Sequence, residues 1–165
     1  MKERPSWDEW FMKMAFLAAE RSTCLHHHVG AINVLRNHIV TEGYNSTAPK
    51  EPHCSDNGYC FKERKAEERG EEAVSGKGVD DCPAIHAEEN AILQAALLGT
   101  SLNGASMYAT HQPCIHCARQ ISRVGIVEVK YVFPYADERA IGLLSRKGVK
   151  LERIDMPNLD ISMLK

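Results

Sequence analysis

Ile85-His86-Ala87-Glu88-Glu89-Asn90-Ala91-Ile92-Leu93-Gln94-Ala95-Ala96-Leu97-Leu98-Gly99, followed by Thr110-His111-Gln112-Pro113-Cys114-Ile115-His116-Cys117, is the part of the sequence that decides the fold. Ala91, Ile92, Ala95 and Leu98 recur at helical spacing, which predicts a helix over 88–98 with one apolar face, stopped by Gly99. The apolar run 105–109 reads as a strand, and 114–124 as a helix broken by Gly125. A strand over 126–133, a helix over 137–147 capped by Asp137 and a strand over 149–154 complete the series. Strands joined by helical crossovers lie parallel, with helices covering the sheet.

Upstream, Ser6 and Glu9 have the spacing of a capping box, in which the hydroxyl and the carboxylate each satisfy a free backbone donor. The helix they open places Trp7, Trp10, Phe11, Met14, Leu17 and Ala18 on one stripe, expected to be core. Residues 29–34 and 39–44 read as a hairpin around Arg36-Asn37. The polar stretch 45–81, with its charged run 62–72, is a solvated loop or short exposed helix that needs an anchor. The order is then α-β-β-α-β-α-β-α-β, a single α/β domain over 1–165 with a polar insertion at about 46–82. The tail 155–165 carries Met156, Leu159, Ile161, Met163 and Leu164, and suggests docking on a neighbour.

The 165 residues, 44% hydrophobic and 25% charged with net charge -2, suit one globular domain. So balanced a charge argues against extended contact with nucleic acid, which needs a basic face. No apolar run reaches membrane-span length, and the first residues lack a signal-peptide core. The expected location is therefore the cytoplasm, where six cysteines suggest metal or catalysis before disulfides.

Cys114-Ile115-His116-Cys117 at a helix start sets two thiolates side by side, and His86 comes from the start of another helix. Three protein ligands leave a tetrahedral zinc one open position for water, the arrangement of a catalytic site. Glu88, two residues beyond His86, is turned off the ligand direction yet close enough to handle the water's proton. The plainer alternative is a closed zinc staple with Glu88 as an ordinary first-turn carboxylate. H-x-E with P-C-x-x-C is the pattern of zinc deaminases that act on nucleobases.

The chain resembles the deoxycytidylate (dCMP) deaminases of the cytidine deaminase-like superfamily, in particular the bacterial form encoded with competence genes. The resemblance runs through Arg4-Pro5-Ser6-Trp7, Arg21-Ser22-Thr23-Cys24, Val29-Gly30-Ala31, Gly43-Tyr44-Asn45, His53-Cys54, the two zinc segments and Tyr135-Ala136-Asp137. It implies a three-layer α/β/α cytidine deaminase-like fold with a five-stranded mixed sheet. It also implies hydrolysis of dCMP to dUMP and ammonia, feeding thymidylate synthesis, in a homo-oligomer (dimer or hexamer) with dCTP and dTTP as effectors. Glu88 would move the protons; Asn45, Arg21, Ser22, Ala87 and Tyr135 would contact the nucleotide. Other readings are a deaminase of a different amino-substituted nucleoside, base or tRNA adenosine, or a non-catalytic zinc-binding competence module.

Cys24, Cys54, Cys60 and Cys82 remain once the first site is assigned. They suit a second, structural zinc that anchors the polar insertion, with His53 able to replace a cysteine; some relatives carry such an ion. The alternative is four free thiols. His116 is expected to be an exposed helix residue.

Overall fold

The computed structural model describes residues 4–74, 81–135 and 137–159. The elements are α1 (Trp7–Ala19), β1 (Gly30–Leu35), β2 (His38–Tyr44), α2 (Cys54–Asn57), α3 (Phe61–Glu68), α4 (Ala87–Leu98), β3 (Ser106–His111), α5 (Ile115–Val124), β4 (Glu128–Phe133), α6 (Glu138–Arg146) and β5 (Lys150–Arg153). Among its described residues the polar insertion thus contains two short helices. The sheet runs β2-β1-β3-β4-β5, with β1 antiparallel to both neighbours and β3, β4 and β5 parallel, as the crossovers require. Arg36 and Asn37 adopt φ of 53° and 61°, the left-handed pair of a two-residue hairpin turn.

Alternation along the strands divides the core into two layers. Ile32, Val34, Tyr108 and Val132 meet Phe11, Met12 and Ala15 of α1. On the opposite face Met107 and Val129 pack with Ile92 and Ala95 of α4, Cys117, Ala118 and Ile121 of α5, and Ala140 and Leu144 of α6. The result is the three-layer α/β/α arrangement with a five-stranded mixed sheet.

Helix α1 corrects two expectations. Ser6 Oγ accepts from Glu9 N at 3.1 Å, but the Glu9 carboxylate pairs with Lys13 at 3.0 Å, so only half of the capping box forms. The buried face is Phe11, Met12, Ala15, Ala18 and Ala19. Trp7, Trp10 and Leu17 are 48%, 39% and 54% exposed and line an open groove with Arg4, Lys13, Met14 and Leu159. Close packing decides between these two helical faces. A Cβ at Gly30 would lie 2.1 Å from Ala15 O and 2.5 Å from Ala19 N, so β1 meets the helix backbone where only alanines fit. On α4, Ala91, Ile92 and Ala95 are buried as expected, whereas Leu98 lies at the exposed C-terminal end. Met156 and Leu159 of the tail are exposed; Ile161, Met163 and Leu164 fall outside the described residues, as does Ala136.

The start of α1 is pinned to the sheet by Asp8. Its Oδ1 accepts from Tyr108 Oη at 2.6 Å and its Oδ2 from Lys130 Nζ at 2.7 Å. Partial burial works to raise the Asp8 pKa, and the bonds from Lys130 and Tyr108 outweigh it, leaving the group below its ordinary value. The carboxylate's contribution is therefore complete above the ordinary pKa of about 3.9 and is lost as pH falls through the lower folded-state value.

Two outcomes are expected. Asp8→Asn should cost about 1–2 kcal/mol at neutral pH, limited by solvent screening of a half-exposed group, and should flatten the acid loss of stability in urea titrations. A Cβ at Gly43 would lie 2.3 Å from Ala87 O and 2.4 Å from Ala91 N. Gly43→Ala should therefore push α4 off the sheet, costing about 1–3 kcal/mol in thermal unfolding.

Candidate metal and active site

Two helix starts and one strand end build the site. His86 is the N-cap of α4 and Cys114 the N-cap of α5, both in extended backbone conformation. Ile85 exchanges two backbone hydrogen bonds with Ser46, at 2.9 and 3.2 Å, and Asn90 Nδ2 donates to Tyr44 O at 2.7 Å. The first turn of α4 is thereby tied to the end of β2, at the same place where Gly43 admits its backbone. Gln120 Nε2 donates to Glu89 Oε1 at 2.8 Å, linking α5 to α4 and giving Glu89 a structural partner.

The donor atoms converge. His86 Nδ1 lies 3.5 Å from both Cys114 Sγ and Cys117 Sγ, and the two sulfurs are 3.8 Å apart. Tetrahedral zinc, with Zn–S of about 2.3 Å and Zn–N of about 2.0–2.1 Å, places sulfurs about 3.8 Å apart and sulfur about 3.6 Å from nitrogen. The three residues therefore fit a zinc ion without rearrangement.

Their protonation has the same sense. The Cys117 thiol and then the His86 ring bond to Cys114 and lower its pKa to about 3, making it the thiolate of the pair. Cys117 is driven up by that shared bond and by burial. The bond to Cys114 raises His86 to about 9. Cys117 and His86 thus hold protons that a divalent cation would displace, because a coordinated thiol is deprotonated outright.

Glu88 is 4% exposed, and burial raises its carboxyl against the nearby His86. It interacts with the Cys117 thiol, so a proton-carrying group stands at the edge of the donor set. Ala87, between His86 and Glu88, is fully buried against Ala31, Ala91 and Ala109. His116 is exposed, as expected.

Around this centre the other sequence candidates take different positions. Asn45 Oδ1 accepts from Val29 N at 2.9 Å and its Nδ2 donates to His27 O at 2.7 Å, so its amide fastens the loop before β1. Ser22 Oγ donates to Asn45 O at 3.3 Å within the same loop, while Arg21 is exposed. Tyr135 follows β4 and is 36% exposed. The ring of His111, at the end of β3, lies 6.5 Å from the His27 ring and 5.0 Å from the Phe133 ring. That histidine contact depends on a loop and two strand ends meeting, which nothing in the residue pattern signals.

The remaining cysteines share one neighbourhood. Cys54 bonds to Cys60 and feels the charge of Cys24, and Cys82 feels Cys54, Cys24 and Cys60. His53 Nδ1 is engaged by the Thr47 hydroxyl. Among the described residues a second set of ligand atoms within 4.8 Å comprises His26, Cys60 and Glu63. Glu63 lies one turn into α3 from its N-cap Cys60, a local spacing, whereas His26 reaches them only in space, its Nε2 2.9 Å from Glu63 Oε1.

Residues 5–133 match the family model of the cytidine and deoxycytidylate deaminase zinc-binding region. The chain is 38% identical over 159 residues to the deoxycytidylate deaminase of Schizosaccharomyces pombe, covering 96% of this chain and 47% of that protein. It is 35% identical to ComE operon protein 2 of Bacillus subtilis, covering 98% of this chain and 78% of that one. It thus spans about half the length of the fission-yeast relative and most of the Bacillus one. The crystal structure of the dCMP deaminase of cyanophage S-TIM5 in complex with dCMP and dUMP superposes with a TM-score of 0.73 at 27% identity, covering 93% of this chain and 100% of that one. Matched by that family model over most of its length, the chain belongs to the cytidine and deoxycytidylate deaminase zinc-binding family.

Proposed function

We propose that this protein is a zinc-dependent hydrolase that converts dCMP and water to dUMP and ammonia. The observation that carries the reading is the tetrahedral spacing of His86 Nδ1, Cys114 Sγ and Cys117 Sγ with buried Glu88 beside them. Relatives named deoxycytidylate deaminase and the dCMP/dUMP complex of the cyanophage enzyme support the substrate. Zinc held by these three residues supplies a Lewis acid that makes water a nucleophile near neutral pH.

Glu88 does the proton work. Its carboxylate accepts a proton from the attacking water and passes it to N3 of the ring; it then takes the proton of the hydroxyl added at C4 and delivers it to the 4-amino group, which leaves as ammonia as the C4–N bond breaks and the C4 carbonyl forms. Exclusion of solvent around Glu88 keeps that proton on the reaction path. The first turns of α4 and α5 present partial positive charge to the centre and favour its thiolates. Ala87 forms part of the site wall. Asn45, by holding the loop before β1, sets the edge on which the nucleotide rests; Arg21 and Ser22 stand beside it for the phosphate, and Tyr135 for the sugar or base.

A second zinc in the Cys24, Cys54, Cys60 and Cys82 neighbourhood, with His53 at its margin, would anchor the insertion. Electrostatic coupling among these thiols supports it, while among the described residues no three of these cysteines and His53 bring ligand atoms within 4.8 Å of one another. A homo-oligomer, dimer or hexamer, is supported by the exposed Trp7, Trp10 and Leu17 of α1. Its regulation by dCTP and dTTP follows from the family resemblance. The six unpaired cysteines support a reducing, cytoplasmic setting.

The test follows ultraviolet loss of cytosine from dCMP, CMP, deoxycytidine and cytidine in parallel. Turnover of dCMP well above the others is expected, and Glu88→Gln should lower it by roughly 10²–10⁴-fold while bound zinc is kept. No turnover of any of the four by zinc-loaded protein would remove the reading. Elemental analysis of purified protein should give two zinc ions per chain, falling to one in Cys54→Ser; a single zinc in the unmutated chain removes the second site alone.

A further inference from the structure

Asp137 serves two helices at once. Its Oδ1 accepts from Arg139 N at 3.2 Å and Ala140 N at 3.4 Å, which caps α6. Its Oδ2 accepts from Ile115 N at 3.0 Å, the first residue of α5 and the neighbour of Cys114. The side chain of Cys114, although at the N-cap of α5, makes no cap bond to the helix it begins. The first turn of α5 therefore takes its capping acceptor from another helix, through a carboxylate only 7% exposed.

We propose that Asp137 is a positioning residue of the metal centre: by holding Ile115 N it fixes the first turn of α5 and hence the separation of the Cys114 and Cys117 thiolates. The inference rests on the zinc reading above and concerns this chain's own residues. A negative oxygen facing two helix N-termini is favourable at both, and one carboxylate couples the loops that follow β3 and β4. Outer groups of this kind typically set metal affinity within a factor of about 10–100.

Two substitutions remove the bond from opposite sides. In Asp137→Ser the hydroxyl remains a good cap for α6 but is too short, and has one oxygen too few, to serve α5 as well. In Ile115→Pro the donor itself disappears, at the first helical position where proline is well accepted. Cys114, with φ -76° and ψ 173°, already has the extended conformation that a following proline requires.

The experiment measures zinc affinity by competition with a chromophoric chelator, together with the thiolate-to-cobalt absorption of Co²⁺-loaded protein. The cobalt signal of the site is the part that His86→Ala removes. Both variants should bind zinc about 10-fold or more weakly and show an altered cobalt band, and the double variant should be no worse than the weaker single. Arg139→Ala, which leaves both helix bonds in place, should match the unmutated protein. Zinc affinity within about twofold of the unmutated chain in folded Asp137→Ser, or an effect there without one in Ile115→Pro, overturns the proposal and leaves Asp137 a cap of α6. Should Asp137→Ser not fold, Ile115→Pro decides alone. An unmutated protein with no His86-dependent cobalt band overturns the zinc reading and this inference together.

Discussion

The close meeting of the first turns of α4 and α5 is the constraint on which the rest of the structure depends. Three soft or borderline donors must stand within about 4 Å of one another, which two helices accomplish only if their starts are held from several sides. β2 holds α4 by the Gly43 contact, by the Ser46–Ile85 bridge and by Asn90. β3 delivers α5 directly, and Gln120 and Asp137 brace it against α4 and α6. The site sits beyond the carboxyl ends of β3 and β4, the place where parallel strands leave a crevice for ligands.

Small residues make this architecture work. Gly30 and Gly43 let α1 and α4 approach opposite faces of the same hairpin, and the facing helix positions are alanines. The cost of such contact is that larger apolar residues are turned elsewhere. On α1 the displaced residues are Trp7, Trp10 and Leu17, which remain open to solvent, the two tryptophans clustering with Phe11. This second apolar face, lined also by Leu159, stays open among the described residues, and exposed patches of this kind mark interaction surfaces.

The polar insertion follows a different economy. Helices α2 and α3 bury little besides Cys54 and Ala66, so hydrophobic contact contributes little to their order. Exposed pairs such as Arg69 with Asp81 close the segment, and in solvent they are individually weak.

Much of this was legible in the residues themselves. The strand and helix order, the hairpin turn at Arg36-Asn37, the caps at Ser6 and Asp137 and the metal-ligand pattern of His86, Cys114 and Cys117 are local signals, set by turn chemistry, periodicity and spacing. Periodicity placed the core stripe of α1 on Trp7, Trp10 and Leu17 as well as Phe11, whereas the approach of β1 at Gly30 selected the alanine face. Likewise Glu9 could cap its own helix or pair with Lys13, and the position of side chains in space chose the latter. The second bond of Asp137, the His27–His111 contact and the grouping of His26 with Cys60 and Glu63 join residues far apart in the chain. Such contacts depend on how elements pack. The sequence by itself determined the elements and the donor set; the tertiary structure alone decided which helix faces are covered and what holds the donors at their separation, because both are set by distances between backbones that no local pattern encodes.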